Sequence, residues 1–332
     1  MMWEWASSRP QYCVKVGTDS IAWAESSRNW RGRSRRTCLT ASIADGIVKP
    51  SPAEENVSDL STVAARLQEL TTTGRPGGGG RWSVLSDRPR RITLLLPDAA
   101  VRAVVLHLDQ LPAKHEEREA LIRWRLGQQQ LFPVAGARIA SQVFTHQPGS
   151  GGQAYTVLTV SIQESVLSQY ESLCESVGLI PQEVGITSLR LFDYWRSTSG
   201  RSLWQRQNYL WANLSDRALT TMVFQQGRLL FYRCKLLGSH ATELGAQGDM
   251  LDKVLEECGA SLEVCQQQHP SAMVEKAVVC ADGDLSTLRA RMESELELSV
   301  EQLGWRSIHH GVWAPTEHHR TMTSLAALAG VS

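Results

Sequence analysis

The chain has 332 residues, with 34 Lys+Arg against 34 Asp+Glu for a formal net charge of +0, and is 42% hydrophobic and 20% charged. That length suits two domains rather than one core, and the composition is that of a soluble globular fold. The balanced charge gives no global field to gather nucleic acid or an anionic membrane.

The seven cysteines are scattered with no C-x-x-C, and Cys13, Cys174 and Cys280 sit in apolar runs, as reduced core thiols would. No apolar window approaches the roughly 18–20 residues of a membrane span. The start, MMWEWASSRPQYC, lacks the charged and apolar regions of a signal peptide. A cytoplasmic protein is expected, meeting a membrane only through partners.

Residues 1–10 read as a loose tail. Tyr12–Val16 and Ile21–Glu25 read as two strands around the turn-rich Gly17-Thr18-Asp19-Ser20. Arg28, Arg31, Arg33, Arg35 and Arg36, interleaved with Trp30, read as a solvated loop, and residues 44–48 as a turn and strand. Val57, Leu60, Val63, Leu67 and Leu70 recur at three and four, which predicts an amphipathic helix opened by Asp59. The run GRPGGGG at 74–80 reads as a surface loop, because no Lys-Ser/Thr and helix follow it.

An apolar strand, Ile92–Leu96, ends at Pro97-Asp98, and a second run, Val101–Leu108, closes at Leu111-Pro112. Glu116, Glu117 and Glu119 open a helix whose apolar face is Leu121, Ile122, Trp124 and Leu126. It stops before Leu131-Phe132-Pro133, since a residue preceding proline avoids the helical region. Strands over 137–144 and 154–162 follow. A helix then buries Val166, Tyr170, Leu173 and Val177 and ends at Gly178. GLIPQEVG (178–185) reads as a turn into a short helix with Leu189, Leu191, Phe192 and Tyr194. From Tyr209 three strands turn at Ser215-Asp216-Arg217 and Gln225-Gln226-Gly227. Helices at 249–258 and 285–298 flank a buried strand at 277–280, and 323–330 forms a last helical turn.

The stretch with Leu96-Pro97-Asp98, Leu111-Pro112 and Leu131-Phe132-Pro133 resembles the PilM-like family of type IV pilus assembly proteins, relatives of the cytoplasmic part of GspL. YCVKVGTDSIAWAE resembles the first phosphate hairpin of actin-like ATPases, and the meander from Tyr209 resembles the opening of their second domain. The resemblance implies an α/β, actin-like (ribonuclease H-like) two-domain fold with a ferredoxin-like inserted subdomain. Its first core subdomain would be 11–90, completed by 185–207, its insert 91–184, and its second domain 208–330.

The resemblance also locates a nucleotide cleft at Lys15, Gly17, Thr18, Asp19, Ser20, Asn213, Ser215, Asp282 and Gly283. Lys15 and Asn213 stand where the family carries carboxylates, Ser215 where it carries a glycine, and Asp282-Gly283 where it carries a glycine pair. Magnesium prefers carboxylate and phosphate oxygens, so a degenerate cleft with weak or absent turnover is expected, unless Asp19 or Asp216 substitutes. No catalytic residue, metal or resident cofactor is expected; ATP with Mg would bind if the cleft works. The family implies a scaffold that holds the N-terminal cytoplasmic segment of a PilN-like inner-membrane protein, alongside other pilus inner-membrane components. The groove is expected near Ile92, Leu94 and Leu96 and near Leu121 and Trp124. The alternatives are an ATP-hydrolysing actin-like switch with a rearranged metal site and, more weakly, a sugar-kinase-like enzyme. The pairs His309-His310 and His318-His319 read as loop histidines, adjacent histidines pointing apart.

Overall fold

The computed structural model describes residues 10–28, 34–73, 89–128, 132–145, 155–198, 205–238, 248–304, 312–313 and 321–331. The expected N-terminal tail, the GRPGGGG run and both histidine pairs lie outside these residues.

Two sheets built to one plan carry the molecule. In the first, β1 (Tyr12–Val16), β2 (Ser20–Arg28) and β3 (Ser34–Ser42) form an antiparallel meander; β4 (Arg90–Leu96) then runs parallel to β1, and β8 (Leu179–Ile186) parallel to β4. In the second, β9 (Asn208–Ser215), β10 (Ala218–Gln225) and β11 (Arg228–Leu236) repeat the meander. β12 (Lys276–Cys280) runs parallel to β9, and β13 (Ser299–Leu303) parallel to β12. A two-residue strand, β14 (Val312–Trp313), adds to the β3 edge of the first sheet.

Helices repeat as well. In the first lobe α1 (Leu60–Thr73) follows β3, α3 (Glu164–Glu175) comes between β4 and β8 after the inserted unit, and α4 (Thr187–Thr198) follows β8. In the second, α5 (Gly248–Gln268) and α6 (Ser286–Glu295) follow β11 and β12, and α7 (Met322–Gly330) follows later. The helix read from Asp59 is α1, whose first-turn Thr62 amide donates to the Asp59 carboxylate at 3.0 Å. α7 returns to the first lobe, packs on β1 to β4 and α4, and is buried along its whole length. Gly330 lets it sit against Cys13, because any Cβ there would collide with the Cys13 sulfur.

β9 shows how one strand serves two cores. Leu210, Ala212 and Leu214 face α5 and α6. Tyr209 and Trp211 face the aromatic side chains of α4, where Phe192 stacks on Phe224 at 4.3 Å and Trp195 packs edge-on to Tyr209 at 5.3 Å. Period-two alternation therefore buries both faces.

The inserted unit is smaller than the expected 91–184. It consists of β5 (Arg102–Leu108), α2 (His115–Gln128), β6 (Ala137–Thr145) and β7 (Tyr155–Gln163), in the sheet order β5-β7-β6. Its own small core is Leu106, Leu108, Ile122, Leu126 and Val157. β4 and β8 belong to the main sheet instead, as central and edge strands. β8 reads as a turn in sequence because of Pro181, which the edge tolerates next to a register shift opposite Ile92 and Thr93. β3, read as a basic loop, is a strand that buries Cys38. β5 lies against β11, and His107 meets His269 of the second lobe with ring centroids 4.8 Å apart.

Candidate functional site: the cleft between the lobes

The β1–β2 turn of the first lobe faces the β9–β10 turn of the second. The first is tight, with the Gly17 amide donating to the Ser20 carbonyl at 2.8 Å. The second is a two-residue turn with both central residues left-handed, Asp216 at φ 53° and Arg217 at φ 58°, as hairpin twist demands. Arg217 reaches across to Asp45 of the first lobe at 2.6 Å.

Between the turns lies a buried ion pair. Lys15 is fully buried and its Nζ donates to both carboxylate oxygens of Asp216, each at 2.9 Å. The Thr18 amide donates to Asp216 Oδ1 at 3.2 Å, and Lys15 Nζ makes a longer bond to Thr323 Oγ1 at 3.4 Å. A Cβ on Gly17 would lie 2.5 Å from Asp216 Oδ1, so only glycine fits beside this carboxylate.

A cavity of about 330 Å³ opens beside the pair, lined by Asp19, Ser215, Asp216, Asp282 and Thr323 among others. Asp282 Oδ1 accepts from the Met322 amide at 2.7 Å, at the positive end of α7. Burial pushes its carboxyl up to about 6, against the pull of the Met322 amide and Lys15 and with the push of Asp19 and Asp216. Thr321 completes the α7 start through a capping box with Ser324.

A second buried cluster lies deeper between the lobes. Asp98, at the start of a short 3-10 turn after β4, accepts from the Ser188 amide at 2.9 Å, Ser188 Oγ at 2.5 Å, Thr220 Oγ1 at 3.0 Å and Asn213 Nδ2 at 3.3 Å. Burial raises its carboxyl above the usual range, and the Ser188 hydrogen bonds pull the other way.

The structure thus brings together Lys15, Gly17, Thr18, Asp19, Ser20, Ser215 and Asp282 around the cleft, while Asn213 turns inward to Asp98, Ser188 and Ser215. Gly283 is left-handed at φ 90°, with open space around it rather than a close approach. Asp98 was read as a turn residue; it is an interlobe anchor. Its signal is an acid one residue beyond a largely apolar strand, Ile92–Leu96, across Pro97. Thr220, Ser188 and Thr323 carried no such signal.

Of the residues expected at a partner groove, Ile92, Leu94 and Leu96 are corrected to core positions. They are buried, and β4 is paired on both edges, so neither side chain nor main chain is offered to a partner. On α2, Leu121 is half-buried and Trp124 is 54% exposed, with the Arg125 guanidinium 5.2 Å from its ring. No helix among the described residues is long and apolar enough to cross a membrane.

The turn amide and the ammonium are already bonded to Asp216, while Asp19 and Asp282 line the cavity as anionic walls, which oppose a bare phosphate but are the ligand type magnesium takes. Among the described residues no three His, Cys, Asp or Glu side chains converge as a metal-ligand set.

No family model matches the chain, and no curated protein does. Solved structures match along almost all of it. A chain of a PilM-PilN type IV pilus biogenesis complex superposes with a TM-score of 0.71 at 14% identity, covering 97% of each chain. A Bacteroides thetaiotaomicron protein with an actin-like ATPase fold and unknown function gives 0.46 at 13% identity, covering 99% of each. The cytoplasmic domain of EpsL, an inner-membrane component of the Vibrio cholerae type II secretion system, gives 0.47 at 9%, covering 96% of this chain and 94% of that one. The fold is actin-like, and the doubled plan of the two lobes is its signature here.

Proposed function

We propose that the chain is a scaffold of a type IV pilus assembly machine. It would work in the cytoplasm, at the inner membrane through its partners, and hold the N-terminal cytoplasmic segment of a PilN-like protein. The observation that carries this reading is the likeness to the PilM-PilN complex over 97% of both chains. The cleft agrees with it: a Lys15–Asp216 pair sits where turnover would need a metal-bound phosphate, which supports a protein that organises rather than hydrolyses.

An extended segment docks through main-chain bonds and alternate apolar pockets. With Ile92, Leu94 and Leu96 in the core, the exposed Trp124 and half-buried Leu121 of α2 are the remaining docking candidates. Titrating the folded chain with the PilN-like N-terminal segment tests the assignment. Saturable binding is expected, weakened roughly tenfold by Trp124→Ala, as for an aromatic interface anchor. No binding to the folded chain overturns the scaffold reading.

The rival, a nucleotide-regulated switch, draws on the cavity of about 330 Å³ beside the ion pair. A saturable rise in melting temperature with Mg-ATP would favour it, because a ligand of the native state alone stabilises by mass action.

A further inference from the structure

We propose that Asp216 is a built-in oxyanion: its carboxylate occupies an anion site formed by the β1–β2 turn and Lys15, and so clamps the two lobes together without a bound ligand. The inference deepens the reading of the cleft as one that does not turn over ATP, and it does not depend on what binds α2.

Three features of the geometry carry it. The donors are those of an oxyanion site, a turn amide and an ammonium converging on one group: Thr18 N at 3.2 Å and Lys15 Nζ at 2.9 Å from both oxygens. Lysine serves such sites as a point charge, indifferent to whether a carboxyl or phosphoryl oxygen faces it. Lys15 is also fully buried, so it cannot swing out to an anion in solvent while Asp216 is in place.

The occupant comes from the other lobe on a rigid support. Asp216 stands on a two-residue turn whose left-handed backbone fixes where its side chain projects, and the next residue, Arg217, is tied to Asp45. The host is also shaped to the occupant, since any residue larger than glycine at 17 would collide with Asp216 Oδ1. The chemical class that the emptied site would take is a small tetrahedral oxyanion, for which inorganic phosphate is the probe.

The test compares thermal melts of the full chain, of Asp216→Gly and of Lys15→Met/Asp216→Gly, in potassium phosphate and in potassium chloride at matched ionic strength. The wild-type chain is expected to show only the small, non-saturating rise that phosphate gives any folded chain. Asp216→Gly empties the site and suits the left-handed turn. With Lys15 left buried and unpaired it is expected to melt roughly 10 °C lower in chloride, with phosphate restoring at least half of that drop in a saturable way. The double variant has no ammonium to receive an anion and is expected to show no more than the wild-type response.

Absence of rescue in Asp216→Gly overturns the proposal, as does a saturable phosphate response of the wild-type chain. Should Asp216→Gly aggregate on expression, the gain in its refolding yield from chloride to phosphate is compared with that of the double variant: a larger gain supports the proposal and an equal gain overturns it. Titrating the PilN-like segment into the same samples separates the two ideas. Loss of rescue with retained segment binding sinks only the built-in oxyanion, and rescue without segment binding sinks only the scaffold.

Discussion

Lys15 and Asn213 hold corresponding places in the two lobes, each near the end of the first strand of its meander and two residues before the turn. Each reaches into the opposite lobe for a carboxylate, Lys15 to Asp216 and Asn213 to Asp98. The chemistry differs. The first cluster balances charge with charge, an ammonium against a carboxylate. The second surrounds a carboxylate with neutral donors, Ser188, Thr220 and Asn213, with no cation bonded to it among the described residues. A fold with two equivalent strands has thus solved the same burial problem twice, once by ion pairing and once by hydrogen bonding alone.

The largest expected effect comes from the uncompensated cluster. Asp98→Ala leaves the Ser188 amide and the Ser188 and Thr220 hydroxyls without their acceptor in a buried site, while the Asn213 amide keeps Ser188 and Ser215. Each orphaned donor costs about 1–3 kcal/mol, so a total near 5 kcal/mol is expected in chemical denaturation. Asp98→Asn keeps one acceptor oxygen and should lose clearly less. Equal losses for the two variants would show that packing, not donor satisfaction, holds this joint.

Next comes the ion pair. Lys15→Met strands the Asp216 carboxylate with the Thr18 amide alone, at a cost of about 3 kcal/mol. Replacing both partners, in Lys15→Met/Asp216→Asn, should recover most of that loss, because no uncompensated charge remains, Asn suits the left-handed turn and its oxygen still accepts from the Thr18 amide. A strong coupling at Lys15–Asp216, beside a weaker one at Asp98–Ser188, where the Ser188 amide and Thr220 hydroxyl stay orphaned in the double variant, would make the contrast between the clusters quantitative. Additivity at both would erase it.

Why the sequence shows some of this and hides the rest follows from what each element rests on. The hairpins were legible because turn chemistry is local: Gly17-Thr18-Asp19-Ser20 and Ser215-Asp216-Arg217 sit between apolar runs and become the two facing turns. α1 and α3 were legible from their apolar period. β8 and β3 were not, since Pro181 and the Arg35-Arg36 pair mask strands whose place at or near a sheet edge tolerates them. The lobe duplication was invisible because it lives in strand pairing rather than in repeated residues. At the site, Lys15 and Asn213 stood out as departures from a family pattern. Their partners Asp216 and Asp98 are separated from them by 201 and 115 residues, which no local spacing reveals.

The smallest effect belongs to Asp282, and its sign separates the open cleft from both buried clusters. Its carboxyl is raised from the ordinary 3.8 to about 6. Between those values the native state holds a proton that the unfolded chain has released, so the stability it contributes at low pH is lost as pH rises through about 6. Asp282→Asn keeps an oxygen to accept from Met322 and never ionises. It should therefore match the wild type near pH 4.5 and exceed it near pH 7.5, by less than about 1 kcal/mol because water on the cleft side screens the charge. If the variant is instead weaker at pH 7.5, the ionised Asp282 is stabilising α7 and Lys15 more than its burial costs. The cleft would then be a second charge-compensated joint between the lobes rather than an anionic wall.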